Sequence, residues 1–208
     1  MESFRQHCGI AAPLLQANID TDTIIPSREM KSVSKHGLAD GLFAPWRYLD
    51  SSTRAPNPDF VLNQNDFRHA TILLAGDNFG CGSSREHAVW ALREFGIRAI
   101  IAPGFGSIFF NNCIGNGLLP VSLPAGDISA LAQAVGVDPV ANRVSIDLET
   151  QRIGCAALGF GFTLEEEQRQ MLLQGLDPIN LTLLHEQAIA TFESRDRKLR
   201  PWAYTPFS

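Results

Sequence analysis

The sequence has no Cys-x-x-Cys pair: its four cysteines, Cys8, Cys81, Cys113 and Cys155, are scattered. That spacing argues against a local zinc or iron–sulfur site and against a disulfide scaffold. No apolar run is long enough to span a bilayer, and the opening MESFRQHCGI holds no apolar core of signal-peptide length. A cytoplasmic protein with no membrane partner is expected. Positive charge is not in excess either. The net charge of −5 leaves no basic patch for nucleic acid. Three familiar loop signatures are missing as well. No lysine precedes Ser83, so the run from Gly76 to Gly82 is not a phosphate-binding P-loop. Neither GCGSSR nor GFGSIF has the third glycine of a dinucleotide fingerprint. No G-x-S-x-G elbow surrounds the serine, which makes a serine hydrolase a poor fit. Internal repeats and an interdomain linker are also lacking.

The chain instead has 208 residues, 45% of them apolar and 19% charged. Such a composition suits an ordinary globular protein with a proper core, read as a single domain over 1–208. Its organising stretch runs from Ala70 to Val121. Ala70 to Ala75 is a short apolar run that reads as a buried strand. Gly76 to Gly82 has three glycines in seven residues, too many for a regular element. Ser83 or Ser84 stands where a helix N-cap belongs. Over Arg85 to Phe95, the residues Ala88, Ala91, Leu92 and Phe95 share one helix face, and Gly96 ends that helix. Ile97 to Ala102 is a second buried strand. Strand, loop, helix and strand make a βαβ unit with parallel strands. Ligands of such sheets gather at the carboxyl ends of the strands, where GCGSSR lies.

The glycines let the backbone approach a ligand closely, and the first amides of a helix point toward it. A carboxylate or phosphate is the natural guest. Arg85 sits in the first turn, where the helix dipole favours an acid. Two readings stand: a bidentate pair with an anionic ligand, or a surface pair with Glu86 or Glu94. His87, four residues after Ser83, shares its helix face or is a hydrogen-bonded structural residue.

Elsewhere, Phe4 to Ala17 reads as a strand region broken at Pro13. In Asn18 to Pro26, Asp20 and Asp22 either face one side of a strand or cap turn amides. Ser27 to Gly41 is polar and basic. Phe43, Trp46 and Tyr48 form an aromatic cluster, and Ser51 to Pro58 a surface loop. After Pro103, a short helix over Ser107 to Ile114 has Asn111 and Asn112 at its end, and Leu118 to Leu123 returns to a strand. The rest reads as scaffold: a helix over Asp127 to Val135 followed by Gly136, strands at Arg143 to Glu149 and Gly159 to Thr163, a helix over Leu164 to Gln174, and one long helix over Pro178 to Arg195. Glu193 to Arg200 reads as a solvated charged face. Trp202, Tyr204 and Phe207 in the tail could pack on a partner.

NFGCGSSREHA, Asn78 to Ala88, resembles the serine loop of the aconitase family, in the form of its separate isopropylmalate isomerase small subunits. NIDTDTIIP (Asn18–Pro26), LFAPWRYLD (Leu42–Asp50), NPDFVLN (Asn57–Asn63), the stretch from Ile100 to Val121 and GLDPINLTLLHEQAI (Gly175–Ile189) carry the same resemblance, in order along nearly the whole chain. It implies an α/β fold like the aconitase swivel domain, with a mixed sheet flanked by helices. It implies a hydro-lyase that dehydrates and rehydrates 2-isopropylmalate to 3-isopropylmalate. By the resemblance, Ser83 is the base, and Ser84, Arg85 and Asp22 bind substrate. Asp20, His87, Gly80 and Gly82 support the loop. The region after IIP, with Arg28 and Lys31, would select the substrate side chain; for the family's second substrate arginine, Arg28, Lys31 and Lys35 are candidates by charge only. No cofactor is expected on this chain; a [4Fe–4S] cluster is expected on a partner large subunit, the second ligand being a small dicarboxylic or hydroxy acid. A related hydro-lyase acting on a citraconate- or 2-methylmalate-type acid, or a non-catalytic anion-binding module, would use the same loop.

Overall fold

In this computed structural model, residues 1–30, 36–50, 52–83 and 85–204 are described. The chain opens with strands β1 (Gln6–Gly9) and β2 (Ala11–Leu14), then a single helical turn, α1 (Thr21–Ile24). A second short helix, α2 (Ala44–Arg47), leads into a two-stranded ribbon of β3 (Tyr48–Asp50) and β4 (Ala55–Pro56). The expected βαβ unit follows as β5 (Ile72–Ala75), α3 (His87–Phe95) and β6 (Ala99–Ala102). It continues through α4 (Ser107–Asn116) into β7 (Leu119–Ser122) and α5 (Ala125–Val137). Strands β8 (Val144–Asp147), β9 (Arg152–Cys155) and β10 (Leu158–Gly161) come next. Helices α6 (Glu166–Gln174), α7 (Pro178–Leu183) and α8 (Glu186–Leu199) end the described chain.

Parallel and antiparallel pairings are both present, divided between two four-stranded sheets. One has the order β2-β5-β6-β7 and is parallel throughout; the other has the order β1-β8-β9-β10 and is antiparallel. All four residues of β5 and of β6 are buried, as a parallel sheet covered on both faces requires. On one face, Ala88, Val89, Ala91 and Leu92 of α3 join Phe109 and Cys113 of α4 over Leu73 and Ile100. On the other, Ile72, Leu74 and Ile101 meet Ile128, Leu131 and Val135 of α5. Each of the larger aliphatic and aromatic side chains among these, fully buried, stabilises the fold by about 1.5–3 kcal/mol of transfer free energy. Gly96 takes φ 111°, and its amide closes on Arg93 and Leu92, the expected end of α3.

Several expected boundaries move. The first strand region breaks at Ile10, between two sheets, and not at Pro13. Pro13 sits inside β2, an edge strand paired only with β5, where no ladder bond needs its missing N–H. Asn111 and Asn112 lie inside α4, which runs on to Asn116, and Gly136 lies inside α5. The helix expected over Pro178 to Arg195 is two helices, divided at Leu184 and His185. β9 has no counterpart among the expected strands. Of the expected aromatic cluster, Phe43 is fully buried and stacks on Trp46. Phe207 lies outside the described residues.

Candidate active site

Because β2, β5 and β6 are parallel, their C-terminal ends open onto one edge of the sheet. There the chain continues as three loops laid side by side. The Asn18 amide donates to the Asp77 carbonyl at 2.8 Å, and the Asn78 side chain to Asn18 Oδ1 at 2.8 Å. Isolated parallel bridges then join Asp20 to Cys81 and Phe79 to Phe105. The ladder thus extends beyond the strands, and it holds the Gly-rich loop between the other two. Gly80 takes φ 73°, and its amide donates to the Ile19 carbonyl at 2.7 Å. A Cβ on Gly80 would stand 2.2 Å from Cγ of the Phe109 ring. Gly82, at φ 93°, is needed for its conformation rather than for space.

Asp20 caps α1: its carboxylate accepts from the Thr23 amide at 2.7 Å. Thr21, 1% exposed, donates its amide to the Cys81 carbonyl at 2.9 Å and its hydroxyl to the Ser83 carbonyl at 3.1 Å. The Arg85 amide closes back on that same carbonyl at 2.8 Å. Ser83 is therefore fixed through its backbone while the residue itself remains exposed. The Arg85 guanidinium turns toward α1, where it donates to the Asp22 carboxylate and, at 2.8 Å, to the Ser27 hydroxyl. Their side chains are 28% and 53% exposed for Arg85 and Asp22. An ion pair so placed contributes only about 0.2–1 kcal/mol, so an incoming carboxylate can share or take the guanidinium.

The structure thus brings Ser83, Arg85 and Asp22 together. Ser84 and Lys31, with Lys35, lie outside the described residues. Arg28 reaches Glu29 at 3.6 Å and is largely exposed. The His87 ring packs on Trp90, centroids 4.8 Å apart. The surface pairs considered for Arg85 do not form, because both acids are held elsewhere. Glu86 accepts from the Asn116 side chain at 2.7 Å. Glu94 accepts from the Gly37 and Ala39 amides at 2.7 and 2.9 Å and from the Leu38 amide between them. Partial burial works against the Glu94 charge, but those three amides outweigh it and hold the carboxyl below its usual value.

The expected serine N-cap is corrected. α3 begins at His87 with Glu86 as its N-cap residue and no side-chain cap bond. The Thr21 hydroxyl and the Arg85 amide both bind the Ser83 carbonyl, and this turn delays the helix by two residues. Arg85 accordingly precedes the first helical turn. Sequence reasoning missed Ser27, whose signal was only its place five residues after Asp22, and Thr21, a buried polar residue between two acids. Among the described residues no three His, Cys, Asp or Glu side chains come together as a metal site, and no helix is long and apolar enough to cross a membrane.

An exposed serine and an arginine at the carboxyl edge of a parallel sheet, with backbone turned by glycines, make this an α/β domain with a Gly-rich loop presented at its sheet edge. The family model for the aconitase C-terminal domain matches residues 1–126, and that for the C-terminal domain of the 3-isopropylmalate dehydratase small subunit matches residues 179–205. The chain is 61% identical to the 3-isopropylmalate dehydratase small subunit of Cupriavidus necator, over 98% of this chain and 99% of that one. It is 52% identical to the same subunit of Shewanella amazonensis, over 94% and 97%. The crystal structure of 3-isopropylmalate dehydratase from Methanocaldococcus jannaschii superposes with a TM-score of 0.62 at 25% identity, covering 91% of this chain and 99% of that one. The chain belongs to the 3-isopropylmalate dehydratase small-subunit family.

Proposed function

We propose that this chain is the small subunit of a 3-isopropylmalate dehydratase, a hydro-lyase that interconverts 2- and 3-isopropylmalate in leucine biosynthesis. The observation that carries the reading is Ser83, exposed beside the Arg85–Asp22–Ser27 cluster, in a chain 61% identical to a subunit of that name. A cytoplasmic location and a single domain over 1–208 go with it. The partner is a large subunit, and the iron–sulfur cluster belongs there: Cys113 and Cys155 are buried here and Cys8 and Cys81 are not grouped with other ligands among the described residues.

The part played by this chain follows from its residues. Arg85 pairs with a substrate carboxylate, with Ser84 as a second contact and Asp22 orienting the guanidinium. The Ser83 alkoxide takes the proton from the carbon next to that carboxylate while hydroxide leaves the adjacent carbon, a departure that a Lewis-acid iron on the large subunit would assist. On rehydration water's oxygen adds to the first carbon, and Ser83 Oγ gives the proton to the second. A neutral serine hydroxyl is too weak a base for this step, so Ser83 must act as its alkoxide, whose negative charge has to be met by fixed positive neighbours; Arg85 supplies one. Arg28 and Lys31, on the segment after Pro26, belong to the region that selects the substrate side chain.

The test is reconstitution with a large subunit under anaerobic conditions. The wild-type pair should turn over isopropylmalate, and the chain alone should not. Ser83→Ala should abolish turnover while assembly by gel filtration stays intact. Stability should change by no more than about 0.5 kcal/mol, because the bonds to residue 83 use its carbonyl. Retention of most of the turnover by Ser83→Ala would remove the serine from the role of base.

A further inference from the structure

Arg85 is followed at once by an acid, Glu86, and a second acid, Glu94, lies on the helix that Glu86 opens. The structure disposes of both. The Glu94 carboxylate is occupied by three backbone amides. The Glu86 carboxylate is occupied by one side chain, Asn116, at the C-terminal end of α4. Asn116 is 9% exposed and one of only three buried polar or charged residues among those described. Its amide is fully engaged: it donates to Glu86 Oε1 at 2.7 Å and to the Asn112 carbonyl at 2.9 Å, and its oxygen accepts from Trp90 Nε1 at 3.0 Å. A buried amide that meets a carboxylate, an indole and a carbonyl at once is tightly specified in identity and direction.

We propose that Asn116 is a positioning residue for anion binding: by holding the Glu86 carboxylate against α4 it keeps that charge off the neighbouring Arg85. Among the described residues the Arg85 guanidinium then bonds to Asp22 and Ser27, and it retains the capacity to take a substrate carboxylate. This rests on the reading of Arg85 as the carboxylate site. Asp22 already pairs with Arg85, so a second acid there would add a competitor for the guanidinium; the tie that holds Glu86 back comes from a residue 30 positions away in the chain.

The experiment measures KM and kcat for isopropylmalate on the reconstituted complex. In Asn116→Asp the new carboxylate repels Glu86 and frees it toward Arg85. KM should rise about fivefold, the scale of one partly exposed ion pair, with kcat changed less than twofold. Adding Glu86→Gln restores a donor–acceptor pair with its polarity reversed and removes the competing charge, so KM should return to within about twofold of wild type. Because that pair also restores the bond, the deciding comparison is Asn116→Leu with and without Glu86→Gln: there the glutamine removes the charge and restores no bond, so a purely structural role would show no rescue. An unchanged KM in the Asn116 variants, or a KM that Glu86→Gln does not restore in the Asn116→Leu background, overturns the proposal. An inactive wild-type complex would instead overturn the functional reading on which it rests.

Discussion

Gly80 carries two separate burdens, and their sum can be worked out. Its φ of 73° lies in the left-handed region, where an L side chain costs about 1–2 kcal/mol. The added Cβ of Gly80→Ala would also meet three atoms of the Phe109 ring at 2.2, 2.4 and 2.7 Å. That ring cannot slide away cheaply: it is 3% exposed and packs edge-on against Phe79, centroids 5.5 Å apart. Overpacking of this kind costs about 1–3 kcal/mol. Gly80→Ala should therefore destabilise the chain by about 2–5 kcal/mol, a large share of a typical 5–15 kcal/mol. Gly82 is the internal control. Its φ of 93° is equally unfavourable, but an added Cβ meets nothing nearer than 3.5 Å. Gly82→Ala should cost only the backbone part, about 1–2 kcal/mol. Guanidinium unfolding followed by circular dichroism would measure both. Equal losses for the two variants, or a loss under about 1 kcal/mol at Gly80, would refute the assignment of the larger cost to Phe109.

Arg85→Lys keeps the charge but loses the forked guanidinium, whose Nη1 alone donates to both Asp22 and Ser27, and with it the bidentate grip on a carboxylate, so apparent substrate binding by the reconstituted complex should weaken by about 1–3 kcal/mol; an unchanged KM would count against it. His7 provides a pH test. Burial first, and then Arg98, push its pKa below the usual value, and its Nε2 lies 2.7 Å from Thr71 Oγ1. With the folded pKa depressed, the native state resists protonation. The stability His7 contributes is present above the unfolded value of about 6.5 and is lost as pH falls through the folded pKa. Thermal melts should decline below about pH 6.5, and less steeply in His7→Gln; parallel pH profiles for the two chains would show that His7 is not responsible.

The parts of the fold that were legible in the sequence are those where one local signal dominates. Ile72–Ala75 and Ala99–Ala102 are continuous apolar runs, Gly96 and Gly175 adopt left-handed caps, and Val144–Asp147 alternates. Local signals failed where a distant partner decides. Two serines before a helical pattern look like caps, but the bond from Thr21, 62 residues away, turns the backbone at Ser83 first. Pro13 looks like a strand breaker, yet which strand lies at an edge is a property of the sheet order. β9, RIGC, has a glycine and no clear alternation, and becomes a strand because β8 and β10 flank it. The candidate site was legible as a loop; that Asp22 belongs to it followed only from the resemblance, and its contact with Arg85 was not legible at all. That Glu86 and Glu94 are held away from Arg85 was not legible, because their partners are backbone amides and an asparagine on other elements.

The division of the strands between two sheets has a consequence for the order in which a growing chain can close. The apolar cluster under the Ser83 loop draws on residues from Ala12 to Leu118, whereas the other cluster needs residues from Phe4 to Leu173. The parallel sheet is complete at Ser122; β1, made first, must wait for Val144–Asp147 before it has any neighbour. At synthesis rates of about 5–20 residues per second, that leaves an unpaired strand exposed for seconds after the sheet beside it can form. Such an edge invites pairing with another nascent chain. The make-up of β1 answers this: Gln6, His7 and Cys8 are all wholly or partly exposed in the finished fold, and only Gly9 is buried. The strand that waits longest is thus the one with least apolar surface to offer a wrong partner.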